Sequence, residues 1–258
     1  QRAKACKCSA LVLTLDLQIL GQRHKDLKNG LTTPPKLTLP NILNIMTKPQ
    51  WAMEMLATPR RTFRNIVGHA KGVTDLANLS AWTNEQFDPL LTWDKVKRIR
   101  DQWGGKLILK GIMDVEDAQL AVASGADAIV VSNHGGRQLD QGRATLDTLP
   151  EIVAAVAKRV PIIVDGGILR GTDVLKALAL GADAVGVGRL EGLAMAAGGA
   201  AGVVRMLELL ETEMRINLAS MGLSSIEQLT PTSVLPAEPV VAPHVLSGFP
   251  LLGEQPAR

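Results

Sequence analysis

His134 stands in the stretch SNHGGRQLD, directly after the β-branched run AIVV and directly before two glycines and Arg137. An imidazole at the end of a buried strand can serve as a general base, because its ordinary pKa lets it take and return protons near neutrality. Such a base works best with a carboxylate that orients the ring and stabilises its protonated form, and with arginines that grip an anionic substrate. Asp16 could supply the carboxylate, and Arg23 and Arg137 the guanidinium groups. Without that company His134 reads as a polar residue in a glycine turn. His24, His69 and His244 have no such neighbours and receive no role.

Further polar groups close apolar runs. Thr14 and Asp16 end ALVLTLD, Lys110 ends KLILKG, Ser132 follows AIVV, Asp165 with Gly166 and Gly167 closes PIIVDGG, and Gly188 with Arg189 closes AVGVGR. An unpaired ammonium at the end of an apolar strand is costly, so Lys110 is expected to face an anion; snorkelling to solvent is the alternative. Glycine turns let backbone N–H groups approach phosphate oxygens, and Arg189 adds a charged fork. DGG by itself is a plain turn, but its pairing with GVGR one βα unit later favours a phosphate site. No metal site is expected, since Cys6 and Cys8 are too close together for an ordinary disulfide and lack the further ligands of a zinc centre.

The elements that must position these groups are five short apolar runs, at 10–16, 106–111, 128–133, 161–167 and 184–189. Each is apolar nearly throughout, as parallel strands buried on both faces are. Helical patterns separate the last four: DVEDAQLAVAS, TLPEIVAAVAKR and TDVLKALAL. Alternation of this kind predicts βαβ units on a parallel sheet. GADAIVVS at 125 recurs as GADAVGVG at 181, 56 residues later, with a glycine suited to end the preceding helix in a left-handed conformation. The predicted fold is α/β, a (β/α)8 TIM barrel with strands four to eight present, whose active site gathers at the C-terminal strand ends. An open doubly wound sheet is the alternative, but no GxGxxG follows the first strand.

Residues 29 to about 90 break this rhythm with a Pro-, Lys- and Met-rich stretch, read as a long βα-loop insertion over the catalytic face. TWDKVKRIRDQW after it is predicted helical, with Thr92 as N-cap. The barrel part is expected to span 1–225, and the proline-rich end, 226–258, to be extended. Apolar Leu39, Ile42, Leu43, Ile45, Met46, Trp51 and Met55 accompany Lys36, Lys48, Arg60 and Arg61 in the insertion, which suits a lid over the site or, through residues 38–60, peripheral contact with a membrane.

A hydrophobic content of 46% in 258 residues supports a real core, and a net charge of +3 is too small to argue for nucleic acid. No stretch reaches about 18 uninterrupted apolar residues, the length of a membrane span. The two cysteines suit a reduced, intracellular setting. The chain begins with Gln, its first strand lies within ten residues, and five strands cannot close an eight-stranded barrel, so further strands are expected upstream.

SNHGGRQLD, with LTLDLQILGQRHKDLKNG before it and VDGGILRGTDVLKALALGADAVGVGR after it, resembles the FMN-dependent α-hydroxy-acid oxidase and dehydrogenase family, which includes glycolate oxidase, flavin L-lactate dehydrogenase and mandelate dehydrogenase. The similarity runs from residue 1 to about 225, and the insertion resembles that of bacterial lactate-dehydrogenase-like members. The resemblance implies FMN as cofactor and a lactate-like L-2-hydroxy acid as substrate. It implies His134 as base, Asp16 as support for its imidazolium, and Arg23 and Arg137 as binders of the substrate carboxylate. Thr14, Lys110 and Ser132 would contact the flavin, with Lys110 near its pyrimidine edge. Asp165, Gly166, Gly167, Gly188 and Arg189 would hold the ribityl phosphate region. The electron acceptor would be oxygen, a quinone or a cytochrome, and the full-length enzyme a homo-oligomer in the cytoplasm or peripheral to the inner membrane.

Three departures stand out. Leu169 replaces the first arginine of the usual DGGIRRG, which loses a cofactor contact unless Arg170 compensates. QLDQGRATLDTLP replaces the usual QLDGAPSSI, and the chain has no tyrosine. Rival readings are another FMN- or phosphate-binding barrel oxidoreductase or isomerase, and an inactive fragment of the family.

Overall fold

The structure, a computed structural model, describes residues 1–19, 21, 23–29, 38–59, 63, 65–67 and 89–236. The chain divides into two compact units, Gln1–Leu17 with Leu90–Leu246, and Gln18–Pro89 with Ser247–Arg258.

The first unit contains, in chain order, α1 (Arg2–Ala5) and β1 (Ala10–Thr14). The second contributes α2 (His24–Lys28), α3 (Leu39–Met46) and α4 (Pro49–Ala57). The first then resumes with α5 (Trp93–Trp103), β2 (Lys106–Ile112), α6 (Val115–Ala123), β3 (Ala128–Val131), α7 (Thr145–Val156), β4 (Ile162–Asp165), α8 (Gly171–Ala179), β5 (Ala184–Gly186) and α9 (Arg189–Ser220). The five strands are parallel and lie in the order β1-β2-β3-β4-β5. A doubly wound sheet reverses its strand order at a switch point, whereas each strand here pairs with the next in sequence, the winding of a (β/α)8 barrel. The sequence-predicted strands and the helices between the last four are all present, with boundaries shifted by a few residues.

The core forms where the inner strands meet their helices. Leu107 and Leu109 of β2, Ile129 and Val131 of β3, and Val164 of β4 are fully buried with Leu149, Ile152 and Val156 of α7 and Ala118 and Ala121 of α6. The outer strands differ from expectation: Val12 on β1 and Ala184 on β5 are exposed, because each of these strands has a neighbour on one side among the described residues. Burial on both faces holds for β3, whereas β2 and β4 bury one face fully and the other in part.

The internal repeat has a common structural job. Gly125 and Gly181, with φ of +78° and +102°, end α6 and α8 in the left-handed region, as the sequence predicts. Two residues later the chain doubles back on the preceding strand in the same way each time. Asp127 N–H donates to Leu107 O and the Asp127 carboxylate accepts from Leu107 N–H, both at 2.8 Å. Asp183 does the same with Ile162, at 2.8 and 2.7 Å. GAD is thus a βα-unit clip that sets where each following strand starts.

Asp127 also pairs with Arg100 of α5 at 2.7 Å, which ties that helix to the sheet. The Leu107 amide, and then Arg100, hold its carboxyl below the usual carboxylate range. A lowered pKa contributes stability that is present above the unfolded value of about 3.9 and is lost as pH falls through the folded value. Asp127→Asn is therefore expected to cost about 1–2 kcal/mol at pH 7 and progressively less below pH 4. Urea midpoints of the two proteins, compared at pH 7 and pH 3, check this.

Helix α9 is long and apolar enough by length and composition to cross a membrane, although its charged residues leave no uninterrupted apolar run of that length. It is broken at Gly198 and Gly199, the latter at φ +56° and ψ −142°. The part after the break carries Arg205, Glu208, Glu211, Glu213 and Arg215, so neither part supplies the roughly 20 predominantly apolar residues of a span. The later part packs on α8 so closely that a Cβ at Gly171 would lie 2.4 Å from Leu210 O.

In the second unit, Thr38 caps α3 by accepting from Asn41 N–H, and Leu39, Ile42, Leu43 and Met46 recur at helical spacing on an exposed face. Trp51, Met53, Met55 and Leu56 of α4 are exposed as well. Lys36, Arg60, Arg61, His69 and His244 lie outside the described residues. Of the proline-rich end, Ile226–Gln228 and Pro231–Ser233 form 3-10 turns, and residues beyond 236 are likewise outside them.

Candidate active site

The C-terminal ends of β2, β3, β4 and β5 surround a cavity of about 1070 Å³, lined by Lys110, His134, Arg137, Asp165, Gly166, Gly167, Gly188 and Arg189 among others. His134 Nδ1 lies 3.2 Å from Asp16 Oδ1. That contact assigns the Nδ1 proton to the carboxylate and leaves Nε2 as the ring's basic atom. The chain reaches this arrangement through three successive residues in the left-handed region, His134, Gly135 and Gly136, at φ of +56°, +64° and +67°. A non-glycine residue there is uncommon and strained, and the surroundings must hold it. Ser132 Oγ accepts from His134 N–H at 3.2 Å, and Asn133 Oδ1 accepts from Gly136 N–H at 3.3 Å.

Lys110 does face an anion: its Nζ lies 2.8 Å from Asp165 Oδ2, across from β2 to β4, and donates to Ser132 Oγ at 2.6 Å. Ser132 is fully buried, and its hydroxyl joins the lysine to the backbone of the histidine turn. Thr14 is the register partner of Lys110 on β1 and is half-buried. Arg23 immediately precedes α2 in the second unit and is half-buried.

Also lining the cavity, Gly166 and Gly167 have φ of +89° and +78°, a turn that only glycine makes freely. A Cβ at Gly167 or Gly188 would meet nothing within 4 Å, so both backbones border open space. Arg189 donates from Nη2 to Gly135 O at 2.8 Å. Burial, and then repulsion from the Arg137 guanidinium, push its pKa down. Two cations held this close in one cavity favour an anion between or beside them.

The sequence pattern of the family described as FMN-dependent dehydrogenase matches residues 1–236. The chain belongs to this family. It is 43% identical over 232 residues to an L-lactate dehydrogenase from Ectopseudomonas mendocina, covering 89% of this chain and 61% of that protein. Among solved structures, that of the monotopic membrane protein (S)-mandelate dehydrogenase matches with a TM-score of 0.81 at 35% identity, covering 87% of this chain and 59% of that one. A mandelate oxidase matches with a TM-score of 0.67 at 38% identity, covering 88% and 56%. The chain thus spans 61% or less of the length of these relatives.

The residues present suit the cofactor that gives the FMN-dependent dehydrogenase family its description. The cavity is of the size that takes a cofactor. Lys110, His134 and Arg137 line it together with the glycine backbones of DGG and GVGR and with Arg189, the kind of cradle that accepts a phosphate. Leu169 lines the cavity, with Ile168 and Leu190. Arg170 does not take the place of the replaced arginine: its guanidinium pairs with Glu213 at 2.7 Å, and its backbone N–H donates to Asp173 Oδ2 at the start of α8. The Gly171 amide and Arg170 hold the Glu213 carboxyl below its usual range.

Sequence reasoning missed two supporting residues. Asn133 donates to Arg143 O at 3.1 Å besides accepting from Gly136, so it fastens the histidine turn to the loop that follows. The Asn-x-x-Gly spacing of an Asx turn was the available signal. Gly135 must lack a side chain because a Cβ there would lie 2.7 Å from Arg189 Nη2, a relation between residues 54 apart that no local pattern carries.

Proposed function

We propose that this chain carries the base, the carboxylate clamp and much of the flavin site of an enzyme that oxidises a lactate-like L-2-hydroxy acid to its 2-oxo acid. The observation that carries the reading is the His134–Asp16 pair at the mouth of a cavity that also holds Arg137 and Lys110. FMN, when bound, accepts the two electrons that leave the substrate. His134 Nε2 takes a substrate proton, and Asp16 stabilises the imidazolium that results. Arg137 grips the substrate carboxylate and so fixes how the single hydrogen of the α-carbon is presented, and hence which enantiomer reacts. Lys110 supplies positive charge where the flavin ring gains negative charge, and the glycine turns with Arg189 hold its phosphate.

Purified full-length protein is expected to be yellow and to bleach anaerobically with lactate, glycolate or mandelate, the fastest of them naming the side-chain class. A protein that takes up no FMN refutes the reading. The rival phosphate-binding barrel needs neither His134 nor Arg137, and turnover that survives Arg137→Lys favours it.

The exposed apolar faces of α3 and α4 support a second element of this reading: residues 38–60 lie on a membrane surface, where a lipid-soluble acceptor would reoxidise the flavin. Leu43→Glu and Met46→Glu are each expected to lower partition onto anionic vesicles roughly tenfold, since burying one such side chain is worth about 1.5–3 kcal/mol. Unchanged pelleting in both variants would return the segment to the lid reading.

A further inference from the structure

We infer that Gly111 is the residue that lets Asp16 reach His134, a positioning role that rests on the proposed pairing of these two side chains in catalysis. Asp16 follows β1 and His134 follows β3, and β2 lies between them. Neighbouring strands are about 4.8 Å apart, so the two chain segments are separated by roughly 10 Å. The aspartate nevertheless comes within 3.2 Å of the imidazole. Its path crosses the C-terminal end of β2.

The crossing point is built for it. β1 and β2 stay in register up to Thr14 and Lys110, and Leu15 N–H donates to Lys110 O at 2.7 Å. On its other side, β2 pairs Lys110 with Val130 but Ile112 with Val131, so Gly111 is an extra residue, a bulge. Its φ is +106°, outside the range that side-chain-bearing residues adopt readily. A Cβ on Gly111 would lie 2.9 Å from both Cβ and Cγ of Asp16 and 3.0 Å from its backbone nitrogen. Those distances are closer than atoms pack, and one of these neighbours is the Asp16 backbone nitrogen, so the aspartate cannot simply swing aside and keep its bond.

The bulge therefore does two things at once. It turns β2 out of the way, and it leaves a side-chain-sized gap through which the carboxylate passes. Ser132 N–H, donating to Ile112 O at 3.3 Å just past the bulge, keeps β3 attached to β2 on the far side, so the gap does not open the sheet. No residue in KLILKG marks this from sequence, because a glycine at a strand end equally well makes a turn.

The test is a double-mutant cycle between Gly111→Ala and Asp16→Gly in the full-length enzyme. Gly111→Ala is expected to lower kcat about 100-fold with KM changed less than threefold, because the base loses its carboxylate partner while the substrate clamp stays in place. In the Asp16→Gly background the same alanine is expected to cost less than threefold in kcat. Independent of activity, the 15N spectrum of the His134 ring, assigned with His134→Gln, is expected to lose its hydrogen-bonded Nδ1–H signature in Gly111→Ala as it does in Asp16→Gly. Multiplicative losses in kcat together with an intact Nδ1–H signature overturn the inference. An inactive wild type whose Nδ1–H signature responds as stated would refute the proposed reaction and leave the positioning role standing.

Should Gly111→Ala fail to fold, Gly125→Ala separates strain from approach. Gly125 also has a positive φ of +78°, but an added Cβ would meet only the Arg100 side chain, at 3.6 Å. Folded Gly125→Ala, with Gly111→Ala recovered by Asp16→Gly, supports the inference; no recovery by Asp16→Gly overturns it.

Discussion

Replacing His134 with glutamine is expected to lower kcat for 2-hydroxy-acid oxidation by roughly 10³- to 10⁴-fold while the protein still takes up FMN. Glutamine keeps a side chain of similar reach and can still hydrogen-bond Asp16 Oδ1, so the loss isolates proton transfer from packing. The backbone limits the substitution as well. His134 sits at φ +56°, and glutamine is less at ease there, so the turn must be held by the Ser132 and Asn133 bonds, neither of which uses the imidazole. Stopped-flow bleaching with excess substrate reads the chemical step, and equilibrium titration with FMN reads the site. Rapid bleaching in His134→Gln would move the base elsewhere. Loss of FMN binding in step with loss of bleaching would make His134 a structural residue of the turn. Asp16→Asn is expected to fall between wild type and His134→Gln, because the amide orients the ring but does not stabilise its charge.

Much of this arrangement was legible in the sequence because parallel strands announce themselves. A strand buried on both faces is a continuous apolar run, and the polar residue that ends it is the one that reaches the mouth of the barrel. That reasoning placed Lys110 beside an anion, and it put His134, Asp165 and Arg189 around one cavity. It could not say which anion, since the choice of Asp165 depends on β2 and β4 being two strands apart on either side of β3. The GAD repeat was visible as a repeat and as a helix stop, yet the use of its aspartate as a clip on the preceding strand needs the register. Gly111 and Gly135 were illegible for the same reason: each matters through a distance to a residue remote in sequence. Arg170 is the opposite case. Its type suggested a stand-in for the arginine missing at Leu169, and the packing of α8 on α9 occupies it with Glu213 instead.

The Lys110–Asp165 pair should separate stability from cofactor binding. Lys110 and Asp165 have side chains less than one quarter exposed, 23% and 22%, and the ammonium also donates to Ser132. Removing one member of a partly buried pair leaves the other charge without compensation, whereas removing both removes the problem. Lys110→Met is therefore expected to lower stability by about 1–3 kcal/mol. Lys110→Met with Asp165→Asn is expected to recover most of that in the same urea titration. FMN affinity should behave differently. On the proposed reading Lys110 meets the flavin as well as Asp165, so both variants lose a cation from the cavity and both are expected to bind FMN at least about tenfold more weakly. The flavin that remains bound should be harder to reduce, since the positive charge that favours the reduced ring is gone. Asp165→Asn alone frees Lys110 from its carboxylate, and its flavin should be easier to reduce than that of the wild type. If the double variant recovers FMN affinity together with stability, Lys110 serves the fold alone, and the charge that tunes the flavin must be sought in Arg137 or Arg189.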